Sequence, residues 1–441
     1  MFHSRGSLRD PTLDRGAIHD YGVRAEPALG IATLFVTGAI AMQCRDMWFA
    51  RCMQVILALN FLATGGCDQV GSVVDDVKSN VTEFAQSPTT PSPQPAPATP
   101  PQAPLPPTPE QLLAEFNSLK PFEITDAALA RVTSRPESAS AITELQLFSE
   151  QMTREGLGHL SAMENLIALA IRSSTLLPED LSALGQVTSL KVLGIGNTKT
   201  NDEVVVNLTT LANLESLDLS GTAVTPAVGA ILSRFTNLQV LNLALTSADD
   251  STVVAISSLP IRSLVLSQTK ISNASLSTIR QMQSLESLDV PFCAVTGEGF
   301  KGYNGSGLKR LNVGETAFGL EGFIAIRGMK SLEDLNVYRA GLVEHTKANV
   351  FRSFPNLKIL NAGGNAVTNA GMDVFFKGHD SLEELYLSNN KGITDQGLAA
   401  LIAVKTLRVL DVRDTSCSAV GGQALKEKLP KCQIITPGGT F

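Results

Sequence analysis

The chain has 441 residues, a formal net charge of −7, 17% charged and 5% aromatic residues, and one Trp. No Lys/Arg block occurs, which argues against a nucleic-acid surface, since such binding rests on clustered cations. Half of the 22 prolines lie between Pro88 and Pro109 and the long apolar runs precede residue 67, so an even division into globular domains is not expected.

Residues 1–66 read as a targeting segment. One apolar stretch runs from Ala28 to Cys44, and a second, MQVILALNFLATGG, runs from Met53 to Gly66 behind Arg45 and Arg51. A basic flank, a short apolar run and small residues at its end describe a secretory signal; 14 residues are too few to cross a bilayer comfortably. Residues 1–46 fit this scheme poorly. Either translation starts at Met42 or Met47, or residues 27–44 form a marginal membrane helix.

Leu62-Ala63-Thr64-Gly65-Gly66-Cys67 resembles a bacterial lipobox, with Thr64 where that pattern usually has Leu. The resemblance implies a lipid-attachment site at Cys67 and a membrane anchor. The competing scheme is plain cleavage after Gly65, with Ala63 and Gly65 as the small pair. Residues 67–109 follow as a disordered, Pro-rich stalk, because such a composition cannot bury enough apolar area to fold and favours extended polyproline II. The 23 residues from Ser87 to Pro109 would reach about 70 Å at about 3.1 Å each.

Residues 110–141 read as an N-terminal cap, in which Ile124-Thr125-Asp126-Ala127-Ala128-Leu129 looks like half of a degenerate unit. From Ile142 the pattern L-x-x-L-x-L begins twelve times, at intervals of 23–25 residues, to the start at Leu407. A truncated unit opens at Cys432, and 437–441 form a tail. Alternation within L-x-L suits a short strand with one buried face. The ninth position of each unit is mostly Thr or Asn (Thr198, Thr222, Thr246, Thr269, Thr316, Asn365, Asn390, Thr415), with Ser174 and Cys293 in the same row. A small hydrogen-bonding side chain there would satisfy backbone groups as the chain turns; Glu150 and Ala340 break the row. After the turn, segments such as Ile393-Thr394-Asp395-Gln396-Gly397-Leu398 combine a helix cap with an apolar face. A strand–turn–helix unit cannot hide its apolar side alone, so neighbours must stack.

These repeats resemble the leucine-rich-repeat family, in the subclass LxxLxLxxTxxTDxGLxxLxxL that includes secreted bacterial proteins and the repeat halves of F-box proteins. The resemblance covers 142–436, about two-thirds of the chain. It implies an α/β solenoid, a horseshoe with parallel concave strands and convex helices.

No catalytic, metal-binding or cofactor constellation emerges. The five histidines form no HExxH, and His345 and His379 are expected as solvated helix-face residues. Cys293 and Cys417 are expected as buried small residues. Gly363-Gly364 and Gly421-Gly422 are expected at turns of the repeat. N-x-S/T triplets occur at Asn80, Asn207, Asn273 and Asn304, sugar sites only in a secreted eukaryotic chain.

Family members usually bind on the strand face. There, one column reads Gln146, Ala170, Gly194, Asp218, Asn242, Val265, Asp289, Asn312, Asn336, Asn361, Tyr386 and Asp411, mostly Asp or Asn. It is either a polar binding ladder or a device that keeps the sheet soluble. Tyr338, Arg339, Tyr386 and Arg413 group in the C-terminal half and form the candidate ligand-binding patch, Tyr and Arg being enriched among binding hot spots. The expected function is a non-enzymatic binding scaffold of the cell envelope. Its partner would be a protein, peptide or glycan outside the cytoplasm, with no nucleic acid. The alternatives are a self-associating envelope protein, an intracellular F-box-like adaptor, and an enzyme assembled from distant repeats.

Overall fold

The computed structural model describes residues 106–148, 150–173, 175–303, 307–342 and 351–441. The targeting segment, Cys67 and the stalk as far as residue 105 lie outside these residues, as do Ser174, Asn304 and His345. Among the described residues no helix is long and apolar enough to cross a membrane.

Among the described residues three short helices precede the first strand: α1 (Pro109–Asn117), α2 (Asp126–Val132) and α3 (Pro136–Ser140). Pro109, expected as the last stalk residue, is the first residue of α1 instead. It needs no N–H there, and Thr108 caps the helix by accepting from Gln111 N. Leu112, Phe116, Leu129 and Val132 bury the apolar faces of α1 and α2.

Each L-x-x-L-x-L segment then carries one strand. β1 (Glu144–Leu147), β2 (Ala168–Ile171), β3 (Val192–Gly194), β4 (Ser216–Asp218), β5 (Val240–Asn242) and β6 (Ser263–Val265) make the first half. β7 (Ser287–Asp289), β8 (Arg310–Asn312), β9 (Asp334–Asn336), β10 (Ile359–Asn361), β11 (Glu384–Tyr386) and β12 (Val409–Asp411) continue it. β13 (Gln433–Thr436) and β14 (Gly439–Thr440) close the sheet in sequence order. Pairing is parallel through β13, with equivalent residues in register: Asp218 sits beside Asn242, and Asn361 beside Tyr386.

The last strand corrects an expectation. Residues 437–441, read as a tail, turn back through Gly439 at φ +145° so that β14 pairs antiparallel with β13. Ile434 and Phe441 exchange backbone hydrogen bonds of 3.1 and 2.9 Å. Gly421-Gly422, expected at a turn, lie within the helix Ala419–Lys428, where Gly422 leaves room for the Phe441 ring.

The Leu residues of each strand point inward and are buried, from Leu145 to Leu410. The ninth-position row works as its chemistry requires. Thr198, Thr222, Thr246, Thr269, Thr316 and Thr415 each donate to the carbonyl three residues back, at 2.6–2.7 Å. Where Ala340 interrupts the row, the next repeat compensates. Asn365 Nδ2 donates to Val337 O at 2.8 Å, the carbonyl a Thr at 340 would have used, and its Oδ1 accepts from Ala340 N and Leu342 N. Asn390 does the same for the following repeat, donating to Ala362 O and accepting from Asn365 N and Val367 N.

The helical side holds a second ladder. Thr or Ser at the N-cap turns its hydroxyl onto its own helix, as Thr394 does to Gln396 N. The Asp or Asn that follows reaches forward to the next repeat's cap. Asp395 accepts from Ser418 N at 2.7 Å and from its hydroxyl at 2.6 Å; Asn369 accepts from Thr394 N at 2.9 Å and donates to its hydroxyl at 2.8 Å. Asp202 to Thr225 and Asp250 to Ser272 repeat the arrangement. The Gly of the motif makes room for this clasp. A Cβ on Gly397 would stand 2.5 Å from Asn369 Oδ1, and one on Gly421 would stand 2.1 Å from Asp395 Oδ1.

Candidate interaction surface

Strand residues alternate, so those flanking the buried Leu share the open face of the sheet. The Asp/Asn column on that face is tied to its own chain. Asp218, Asn242, Asn312, Asn336, Asn361 and Asp411 each accept from the backbone N–H two residues on, at 2.9–3.1 Å. This is the turn-forming use of Asx side chains, competing with ligand contact. At these six strands the column fastens the strand exit. Asp289 supports the point. The residue two beyond it is Pro291, which has no N–H, and its carboxylate instead accepts from Ser267 Oγ at 2.7 Å and Asn312 Nδ2 at 2.9 Å.

The four candidate patch residues divide. Tyr338 is half-buried; its ring covers Gly363, whose Cβ would stand 2.9 Å from the ring, and its hydroxyl accepts from Asn389 Nδ2 at 3.4 Å. Arg339 is exposed, lies 5.2 Å from the Tyr338 ring centroid and pairs with Glu315 at 3.2 Å. Tyr386 is buried, and its hydroxyl donates to Glu384 at 2.7 Å. Burial, then the Glu384 carboxylate, raises its pKa. Arg413 is clamped on Asp411 by Nε at 3.0 Å and Nη2 at 2.6 Å. Tyr338 and Arg339 are thus brought together as a stacked, accessible pair. Tyr386 and Arg413 are committed to neighbours within their own repeats.

The two edges of the strand face differ. At the entry edge a row of alternating charge runs through Lys191 and Glu215, then Arg262, Glu286, Lys309, Glu333, Lys358, Glu383 and Arg408. Successive repeats pair at 3.0 Å (Lys191–Glu215), 2.9 Å (Arg262–Glu286), 2.8 Å (Lys309–Glu286), 2.8 Å (Lys358–Glu333) and 3.4 Å (Arg408–Glu383). Burial works against the Glu286 charge, but Lys309 and Arg262 outweigh it and hold the carboxyl below its usual range.

At the exit edge, the residue three beyond the Asp/Asn column is left-handed in repeat after repeat, with φ between +48° and +67°. Gly221, Gly364, Asn197, Asn389 and Asp414 suit that conformation. Leu245, Gln268, Phe292, Glu315 and Arg339 do not, and of these the apolar Leu245 and Phe292 are 55% and 54% exposed. Neither was singled out from the sequence. The signal was there, since aligning this column leaves Leu and Phe as the two apolar side chains among Gly, Asn, Asp, Gln, Glu and Arg.

Other expectations resolve individually. Cys293 and Cys417 are buried, and burial raises both thiol pKa values. His379 is not a solvated helix-face residue: it is buried, Nε2 lies 3.3 Å from Phe351 O, and burial lowers its pKa. The Asn273 amide serves the helical clasp, donating to Thr296 Oγ1 at 2.9 Å.

Strand–turn–helix units stacked in register on one parallel sheet, with a Thr/Asn ladder at the strand exit, define a leucine-rich-repeat solenoid. A family model described as leucine-rich repeat matches residues 379–401. The chain is similar to an internalin of Listeria monocytogenes (18% identity, 70% of this chain and 93% of that one, TM-score 0.41). It is similar to a leucine-rich-repeat protein of Leptospira interrogans (19%, 74% and 97%, TM-score 0.45). It is also similar to a chain of the yeast Rad7–Elc1 complex (17%, 74% and 87%, TM-score 0.48). No curated protein matches it.

Proposed function

We propose that this protein is a non-enzymatic binding scaffold of the cell envelope, held there through its N-terminal segment, whose repeat surface recognises a polypeptide. The observation that carries the reading is the stacked Tyr338–Arg339 pair at the strand exit. Its ring lies across Gly363 and its guanidinium is exposed, so both are presented on a rigid ladder at little conformational cost. The pair stands on one edge of a long stack of repeats, an arrangement suited to an elongated partner rather than to a small substrate. Export rests on the signal-like run before Cys67 and on the Pro-rich stalk, which would hold the solenoid away from its anchor.

Mass spectrometry of the mature N-terminus from native membranes tests the location. An acylated Cys67 is expected. A terminus after Gly65 would leave a released binder, and an intact Met1 would overturn the envelope assignment. Replacing Tyr338 and Arg339 by Ala tests the surface: about a tenfold or greater loss of partner affinity is expected, and unchanged affinity would remove the patch from the site.

A further inference from the structure

The exit edge carries a feature that the scaffold reading does not use. Leu245 and Phe292 occupy left-handed turn positions, at φ +58° and +56°. An L side chain there crowds the following carbonyl. Gly221 and Gly364 stand at the same position in other repeats and avoid that crowding. The two apolar side chains also remain more than half exposed, so burial in this chain does not repay the conformation. A feature that favours neither backbone nor core points outward, to function. The entry edge makes the contrast: its charges neutralise one another from repeat to repeat.

Spacing says what fits. Leu245 and Phe292 are two repeats apart, and so are Phe292 and Arg339. At about 4.8 Å per strand, each step is about 9.6 Å. An extended segment offers same-face side chains at about 6.8 or 13.6 Å, which matches poorly. An α-helix offers residues i and i+7 at about 10.5 Å, which matches one step and then the next. The third position is Arg339, whose exposed pair with Glu315 at 3.2 Å exchanges readily for another carboxylate. Gln268, between the apolar pair, supplies an uncharged donor and acceptor.

We infer that the exit edge from Leu245 to Arg339 docks an amphipathic α-helix of a partner protein, laid along the solenoid. The helix presents two apolar residues one heptad apart and an acidic residue one heptad further on. The inference rests on the scaffold reading and gives its partner a chemistry.

Photo-crosslinking in the cells that make the full chain tests it. Gln268 is replaced by p-benzoylphenylalanine in one variant and Asn389, beside Tyr338, in another, and the captured peptides are sequenced. Capture at 268 of a segment with the apolar–apolar–acidic heptad pattern is expected. Leu245→Gly and Phe292→Gly should each lower that capture about tenfold while leaving the thermal midpoint equal or higher, because Gly relaxes the turn. A lower midpoint would show that the side chains serve the fold and would overturn the inference. So would capture at 268 of an extended or Pro-rich segment, a glycan, or a second copy without the pattern. Capture at 389 alone would leave the scaffold reading standing and remove the helix; capture at neither position would remove both.

Discussion

The repeats on β3–β6 and those on β8–β11 share one strand register but fill their helical sides differently. The first group uses aliphatic side chains on short helices, such as Val204, Val205, Val253 and Ile256, over a row of Thr. The second follows on from Phe300, in a turn that is only a short 3-10 segment, Gly297–Phe300. From there an aromatic chain continues through Phe318, Phe323 and Phe351 to Phe375 and Phe376, with ring centroids 5.1–6.0 Å apart and mostly edge-on. Tyr303 joins it beside Phe300, its hydroxyl donating to Leu276 O at 2.7 Å. The helices Gly319–Ala325 and Asn369–Phe375 are as long as Asp250–Ile256 and Asn273–Ile279, so the difference is aromatic bulk on the helical side, with Asn in place of Thr in the polar row at 365 and 390. The strand sets the repeat, and the helical side is free to solve its packing locally.

The largest test of this contrast is the centre of the aromatic chain. Phe351 touches Phe323, Phe375 and Phe376, and Phe351→Ala should cost about 3–5 kcal/mol in denaturant unfolding. A loss below that of an aliphatic truncation such as Val253→Ala would mean the aromatics merely occupy space. Next come the two polar rows. Asn390→Ala leaves Ala362 O, Leu387 O, Asn365 N and Val367 N without their side-chain partner and should cost about 3 kcal/mol. Thr222→Ala removes one bond, to Leu219 O, and should cost about 1 kcal/mol. Equal losses would dissolve the distinction between the rows. Gly397→Ala pushes a methyl against Asn369 Oδ1 and should cost about 1–3 kcal/mol, recovered in part by adding Asn369→Ala.

A smaller effect should appear with pH. Burial on the strand face raises Asp334 to about 6, Arg310 pulling it down and Glu384 and Asp289 pushing it up. Its folded pKa exceeds its unfolded one, so the folded state holds the proton more tightly. Its contribution favours folding at acid pH and is lost as pH rises from about 4 to about 6. Asp334→Asn should therefore raise stability at pH 7 by about 1 kcal/mol and flatten that part of the pH profile. A gain that persists at pH 4 would assign the effect to packing.

Much of the fold was legible because period carries it. The L-x-x-L-x-L starts place every strand from β1 to β12, and the Thr row finds its carbonyls. What escaped depends on contacts between repeats rather than within them. Asn365 reads as one more member of its row, yet its partners lie around Ala340 in the repeat before it. The Asp of Thr-Asp reads as a helix cap, yet Asp395 serves the next cap. Of the candidate patch, Tyr338 and Arg339 stand where a partner can reach them. Glu384 and Asp411 already engage Tyr386 and Arg413, which residue type alone does not reveal. His379 ends buried because its ring reaches back to Phe351 O, a contact with no trace in local sequence.

The helical clasp has a consequence for how such a chain can lengthen. The segment Thr394-Asp395-Gln396-Gly397 contains the acceptor that faces forward and both the donor and the clearance that face backward. A tandem copy of that unit therefore arrives with both halves of the joint, and insertion between existing units leaves every joint closed. The aromatic chain lacks that property. Phe300 and Phe323 stand at one place in their units and Phe351 and Phe376 at another, so a copy made between the two sets would put like rings out of step. Growth by duplication should be tolerated most readily at the unit between Asn369 and Gly421, where both halves of the joint are present, and resisted where the aromatic chain changes place between Phe323 and Phe351.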